Sequence, residues 1–290
     1  MRVVSVSCSY LKNCKKMILA NQYLIVLTGR SVIILSKEKE LIKQIDGLQY
    51  VYDGKLSPDG TKLLLISNGA NFYMLSLESL EILWKSRLKE GKYCNLEGKG
   101  VWTLDGTRLC FIIFDQKTTQ YKIRLYNALD PNDSYDETTL SKSHRIYEIL
   151  TIPSQNAYVL LVQDILDIQF DLPSRPLKLL VYQSGISQEF VLHSKKGIPL
   201  GMDYQEYLNK LVIYTDEGTF SCNLNGDNIS KISLDDSDRS SSLNPFAYYG
   251  MTQIKQIAVS QNGKYVLIAS TYGFDVCDKN SGDVLFSKEY

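Results

Sequence analysis

The stretch LSPDGTKLLLIS, residues 56–67, joins a Pro-Asp-Gly turn to a run of buried-looking residues with no polar face. Asp-Gly is the dipeptide that takes the positive φ angles of a hairpin turn without a Cβ penalty, so the stretch reads as a turn opening a strand. A strand that is apolar on both faces must be covered on both sides. One copy would be an ordinary buried hairpin, whereas several at a fixed interval would define a repeat architecture.

The pattern recurs. A turn followed by a mostly apolar, β-rich run appears as ANQYLIVLTG from Ala20, SPDGTKLLLIS from Ser57, LDGTRLCFIIF from Leu104, SQNAYVLLVQ from Ser154, EYLNKLVIYT from Glu206 and SQNGKYVLIAS from Ser260. With Asn21, Gly60, Gly106, Asn156, Asn209 and Gly263 as markers, the intervals are 39, 46, 50, 53 and 54 residues. Each run is followed by a segment with clearer alternation, such as NFYMLSLES at Asn71, YKIRLYN at Tyr121, KLLVYQS at Lys178, GTFSCNL at Gly218 and GFDVCDK at Gly273. A more polar segment comes next, as in EILWKSRL at Glu81 or DVLFSKE at Asp283. Four strands in about 40 to 50 residues is the arithmetic of a β-propeller blade. The pattern predicts an all-β chain forming a single domain over residues 1–290, a β-propeller with four antiparallel strands per blade. Six blades is the reading and seven the competing count.

Residues 51–90 resemble the blades of divergent WD40-like repeats of the YVTN/PD40 type, through GKLSPDGTKLLLISNGANFYMLSLESLEILW. The resemblance extends along the chain in spacing, with its motif sharpest near Pro58 and Gly263. It implies a propeller that serves as an interaction scaffold. The chain lacks the regular Gly-His pair and the Trp-Asp dipeptide, so the hydrogen-bonded tetrad of WD40 repeats is not expected.

Composition fits this architecture. With 44% hydrophobic and 22% charged residues the chain is ordinary globular material, and at this length it can bury about three quarters of its unfolded surface. Lys plus Arg balances Asp plus Glu at 32 each, which gives no global field favouring nucleic acid or an anionic membrane. The nearest thing to a basic cluster is Lys12, Lys15 and Lys16, read as a solvated loop. The N-terminal MRVVSVSCSYLK alternates Val with Ser and Cys and lacks the apolar core of a secretory signal. Residues 3–8 alternate like an extra strand able to augment the last repeat or to clasp the ring closed. The run over residues 17–27 is interrupted by Asn21 and Gln22 and is too short to span a bilayer. The six cysteines form no CxxC pair, so reduced thiols in a cytoplasmic protein are expected.

Signatures of catalysis and metal binding are absent. His144 and His193 fall in segments read as outer strands, with no ligand partner at metal spacing. Asp130, Asn132, Ser134 and Asp136 alternate like the start of a calcium loop, but Tyr135 stands where that loop needs Gly and Ser141 where it needs Glu. No GxSxG elbow, P-loop or dinucleotide fingerprint occurs. Asp53 and Asp203 are carboxylates at strand entries, which turn or blade-positioning roles explain as well as catalysis does. The reading assigns no catalytic residue, no metal and no cofactor.

The aromatic residues point elsewhere. Of 20 tyrosines, several stand just before or at the first strand of a repeat. Tyr50, Tyr52, Trp102, Tyr147, Phe246, Tyr248 and Tyr249 are the candidate partner-binding residues, because Tyr and Trp anchor interfaces with little rotamer entropy lost. The bland alternative for each is filling a wedge between blades. Two excursions depart from the period, residues 164–176 and the polar linker 235–244. The functional reading is a non-catalytic platform that binds a protein or peptide partner at the entry-loop face, with no nucleic acid and no membrane. Two alternatives are a hydrolase or lactonase-like propeller with a site at the channel mouth, and a purely structural domain of a larger complex.

Overall fold

In a computed structural model of the chain, residues 14–36, 40–67, 71–88, 94–115, 118, 120–132, 134–139, 144–164, 176–184, 186–192, 199–205, 209–215, 218–231, 254–260, 264–270, 273–278, 281 and 283–289 are described. The expected extra strand over residues 3–8 and the linker 235–244 lie outside them, as do Lys12, His193 and most of the 164–176 excursion. The described chain folds into six antiparallel four-stranded sheets, each a meander in sequence order. These are the six blades of a β-propeller. Its only helical element among the described residues is a three-residue 3-10 turn, Pro153–Gln155.

The chain divides into two compact units, residues 1–142 and 143–290, with three blades each. In the first unit, blade 1 is β1 (Lys16–Leu19), β2 (Tyr23–Leu27), β3 (Val32–Ser36) and β4 (Leu41–Ile45). Blade 2 is β5 (Val51–Leu56), β6 (Lys62–Ser67), β7 (Asn71–Ser76) and β8 (Ile82–Arg87). Blade 3 is β9 (Cys94–Trp102), β10 (Arg108–Asp115), β11 (Gln120–Asn127) and β12 (Tyr135–Thr139). The second unit holds blade 4, with β13 (His144–Ile152), β14 (Ala157–Asp164), β15 (Leu177–Gln183) and β16 (Ile186–Leu192). Blade 5 follows with β17 (Pro199–Gln205), β18 (Lys210–Thr215), β19 (Gly218–Cys222) and β20 (Ser230–Lys231). Blade 6 has β21 (Ile254–Val259), β22 (Tyr265–Ser270), β23 (Gly273–Asp278) and β24 (Val284–Glu289). His144 therefore opens the first strand of blade 4 and not an outer strand, because blade 4 begins earlier than its turn marker suggests.

The opening stretch occupies the connection from the first strand to the second. Ser57 and Lys62 close a four-residue loop through Ser57 N–H to the Lys62 carbonyl at 2.9 Å, with Gly60 at φ +71°. The Asp59 carboxylate accepts hydrogen bonds from the Ser57 hydroxyl at 2.6 Å and the Thr61 amide at 3.0 Å. Blade 3 repeats this atom for atom in kind: Asp105 accepts from the Thr103 hydroxyl at 2.6 Å and the Thr107 amide at 3.0 Å, with Gly106 at φ +70°. Asn156 and Asn209 hold the same left-handed corner in blades 4 and 5. The loop is thus wider than a two-residue hairpin, and the Ser/Thr two residues before the acid is part of it.

The apolar run after the turn is buried on both faces because its alternate residues serve different neighbours. Leu63 and Leu65 of β6 enter a core shared with Ile25, Leu27 and Ile34 of blade 1, while Leu64 and Ile66 enter one shared with Leu109 and Phe111 of blade 3. Full burial of each such side chain stabilises by about 1.5–3 kcal/mol. In the second unit Val159 and Leu161 of blade 4 meet Leu211 and Ile213 of blade 5 in the same way. Outer strands are wet: every residue of β12 is exposed, as are Leu41, Ile42 and Leu83.

Candidate functional site

Four of the aromatic candidates fall in the described chain, and the sheets distribute them unevenly. Tyr52 and Tyr147 occupy one structural position. In β5 the pairing with β6 jumps from Val51 to Asp53, and in β13 the pairing with β14 jumps from Ile146 to Glu148, so each tyrosine is the extra residue of a β-bulge. The acid after each bulge turns onto the next amide, Asp53 accepting from Gly54 N–H at 2.8 Å and Glu148 from Ile149 N–H at 3.1 Å. Tyr52 is half-buried against the core between blades 2 and 3. Tyr147 is half-buried with its hydroxyl donating to Gln163 Oε1 at 2.8 Å and the Arg145 guanidinium 5.1 Å above its ring.

Trp102 departs from its expected place. It closes β9, so it sits at the end of the sheet opposite the entry loops, and only 3% of it is exposed. Its indole N–H donates to the Lys55 carbonyl at 2.9 Å, joining blade 3 to blade 2. It borders an open cavity of about 480 Å³ lined also by Lys62, Arg108, Leu129, Tyr135 and Asp136. Arg108 and Asp136, both in its lining, are ion-paired. Phe246, Tyr248 and Tyr249 lie outside the described residues.

Tyr50 is the candidate that stands in solvent. It is 58% exposed in the connection from β4 to β5, with φ +45°, a left-handed angle that a bulky residue keeps only where its surroundings impose it. Those surroundings are explicit. Leu48 N–H donates to the Arg30 carbonyl at 3.1 Å, Val51 N–H to the Gly29 carbonyl at 2.7 Å, and Gln49 N–H to the Tyr73 hydroxyl at 3.3 Å. The loop is therefore bonded on both sides of Tyr50 to the β2–β3 turn and to β7. Arg30 places its guanidinium 5.9 Å from the centre of the Tyr50 ring.

The antiparallel meanders bring further residues to the same end of blades 1 and 2. Asn71, which opens β7, donates from its side-chain amide to Gln49 Oε1 at 2.9 Å and is paired in register with Arg87 at the end of β8. Lys85 lies over the Tyr73 ring at 5.4 Å. Lys15 Cε is 4.0 Å from the point where a Cβ on Gly29 would stand. Lys15, Arg30, Lys85 and Arg87 are all exposed, and none has an ion pair among the described residues. Arg30, Lys85 and Arg87 carry no local sequence signal, since they come from three segments that only the fold unites.

Below this surface lies the ion cluster of the first strands. Lys16 Nζ is 2.5 Å from Asp53 Oδ1 and Lys55 Nζ is 3.8 Å from Oδ2. Burial pushes the Asp53 carboxyl up, but Lys16, Lys55 and the Gly54 amide outweigh it and hold the group below the ordinary carboxylate value. The carboxylate is committed to bracing β1 against β5. Among the described residues no group of three or more His, Cys, Asp or Glu could hold a metal ion. The calcium-like loop is a turn, in which Asp130 Oδ1 accepts from Asn132 N–H at 3.1 Å and Asn132 Oδ1 accepts from the Ser86 hydroxyl at 2.6 Å.

No family model matches the sequence and no curated protein matches it. Among solved structures the chain is similar to the β-propeller domain of Cps50 (Swd1) from Myceliophteria thermophila, at 12% identity and a TM-score of 0.56 over 96% of this chain and 87% of that one. It is also similar to the Kuenenia stuttgartiensis hydrazine synthase, at 10% identity and a TM-score of 0.52 over 100% and 99% of the two chains. The fold is a six-bladed β-propeller. Such identities carry architecture alone, so for this propeller the chemistry of the site decides between functions.

Proposed function

We propose that this propeller is a cytoplasmic, non-catalytic protein-interaction platform whose partner, a protein or peptide, docks on the entry-loop face around Tyr50. The observation that carries the reading is the exposed tyrosine held at a positive φ by hydrogen bonds on both sides. A rigid aromatic in solvent loses little rotamer entropy when a partner covers it, which is the property of an interface anchor. Asp53, one of the two carboxylates at strand entries, is held in ion pairs with Lys16 and Lys55 that brace β1 against β5, which supports a structural role for it over a hydrolytic one.

Photo-cross-linking tests the reading. With p-benzoylphenylalanine replacing Tyr50 in the host cell, irradiation is expected to yield an adduct of defined mass with one protein. The same residue at Lys62, at the opposite end of blade 2, is expected to yield none. Identical adducts at both positions, or none at position 50, would refute it.

A further inference from the structure

The platform reading leaves the chemistry of the partner open, and the electrostatics of this face narrow it. The chain as a whole has zero formal net charge, so any one-sided surface is a local arrangement. Around Tyr50 four exposed cations, Lys15, Arg30, Lys85 and Arg87, stand at one end of blades 1 and 2. Among the described residues the exposed acid at the rim is Asp46, whose carboxylate already accepts from the Ser31 hydroxyl at 2.6 Å and the Gln44 amide at 2.8 Å. The cluster beneath adds two lysines against the single Asp53.

We infer that the Tyr50 face takes an acidic protein segment, a stretch of extended chain bearing Asp or Glu side chains, with Tyr50 as its apolar anchor and the four cations as its carboxylate partners. This rests on the platform reading. Three observations converge on it. Four exposed cations against one exposed acid, Asp46, among the described residues of this face repel one another in the free protein, and an acidic partner relieves that repulsion. Arg30 already uses the Tyr50 ring as a support, which aims its guanidinium while leaving the N–H fork for carboxylates. The face is firm, because its loops are tied to one another by the Leu48, Gln49, Val51 and Asn71 hydrogen bonds, so little ordering remains to be done on binding.

A fluorescein-labelled octaglutamate peptide is the probe, titrated in parallel with octalysine and with a short oligouridylate. Octaglutamate is expected to bind the wild-type chain and octalysine not to bind. The Lys15→Glu, Arg30→Glu double variant should weaken the octaglutamate complex by about tenfold or more, and Tyr50→Ala should weaken it less. Unchanged thermal midpoints for the variants show that the fold is intact. Octaglutamate that binds the double variant as tightly as the wild type, or does not bind at all, overturns the inference. So does oligouridylate binding more tightly than octaglutamate, which would assign the face to nucleic acid. The titration involves no cellular partner, so its failure removes only the acidic assignment, and the cross-link at position 50 decides the platform reading separately.

Discussion

Tyr50 keeps a bulky side chain in solvent on a backbone angle that costs an L-residue roughly 1–2 kcal/mol. Glycine would relieve that strain while adding chain entropy to the unfolded state, two effects of similar size and opposite sign. Tyr50→Gly is therefore expected to leave the unfolding free energy within about 1 kcal/mol of wild type, while Tyr50→Val, with a β-branched residue at positive φ, should lose about 1–2 kcal/mol. Urea unfolding followed by tryptophan fluorescence checks both, since the two tryptophans, Trp84 and Trp102, report on blades 2 and 3. Asp53 supplies the corresponding test of charge. Its folded value is lowered, so its contribution is complete above the ordinary carboxylate value of about 3.9 and is lost as pH falls through the folded value. Asp53→Asn should cost about 3 kcal/mol at neutral pH by stranding Lys16 beside Lys55, and the gap between variant and wild type should close in acid. A gap that stays constant from neutral pH to pH values below the carboxylate range would mean that the ion cluster contributes nothing. The cysteines behave as core residues: burial pushes Cys110 and Cys222 up to about 12 and Cys277 up to about 11. None of these three thiols is expected to react with a maleimide in the native protein at neutral pH, and mass mapping of labelled peptides reads this directly.

The strand that follows each turn was the most legible element in the sequence, and packing explains why. Leu63, Leu64, Leu65 and Ile66 are all fully or almost fully buried because β6 feeds two inter-blade cores at once, and that demand leaves an unbroken apolar run. First strands were harder to read. They carry bulges at Tyr52, Tyr147 and Leu200, so their alternation slips by one residue midway and the period of two is lost. Tyr52 and Tyr147, read as standing just before or at a first strand, lie within those strands as the extra residues of that slip. Close approach between blades yields a prediction at this scale. A Cβ on Gly100 would stand 2.6 Å from Phe111 Cε1 and 2.9 Å from Ile66 Cδ1. Ile66 can turn aside, but the Phe111 ring is held between Phe72 at 4.8 Å and Tyr126 at 5.8 Å between centroids. Gly100→Ala is expected to destabilise by about 1–3 kcal/mol. Gly201→Ala, where the nearest atoms lie at 3.9 Å and φ is not positive, should fall within about 1 kcal/mol of wild type. Urea unfolding followed by circular dichroism compares the two, and equal effects would show that inter-blade contact does not limit residue size at position 100.

At the scale of the whole molecule, balanced charge and a basic face make opposite predictions about salt and about where a charge matters. The balance of 32 cations and 32 anions reads in the sequence as indifference to charged partners, because a count carries no positions. Only the fold gathers Lys15, the Arg30 turn and the end of β8 around Tyr50, and that is why Tyr50 could be named as a candidate from the sequence and the cations beside it could not. If net charge governed association, any Lys→Glu or Arg→Glu change would act alike, since each shifts the total by the same amount. If the Tyr50 face governs it, position decides. Lys62 opens β6 at the far end of the blade whose near end holds Tyr50 and Arg87, which makes Lys62→Glu the matched control for Arg30→Glu. Arg30→Glu is expected to slow octaglutamate association several-fold at low salt and to flatten its salt dependence, because screening acts over about 10 Å at 0.1 M and the lost attraction is local. Lys62→Glu should leave both rate and salt dependence near wild type. Stopped-flow association at two ionic strengths measures this, and equal slowing by the two variants would return the effect to overall charge and detach it from Tyr50.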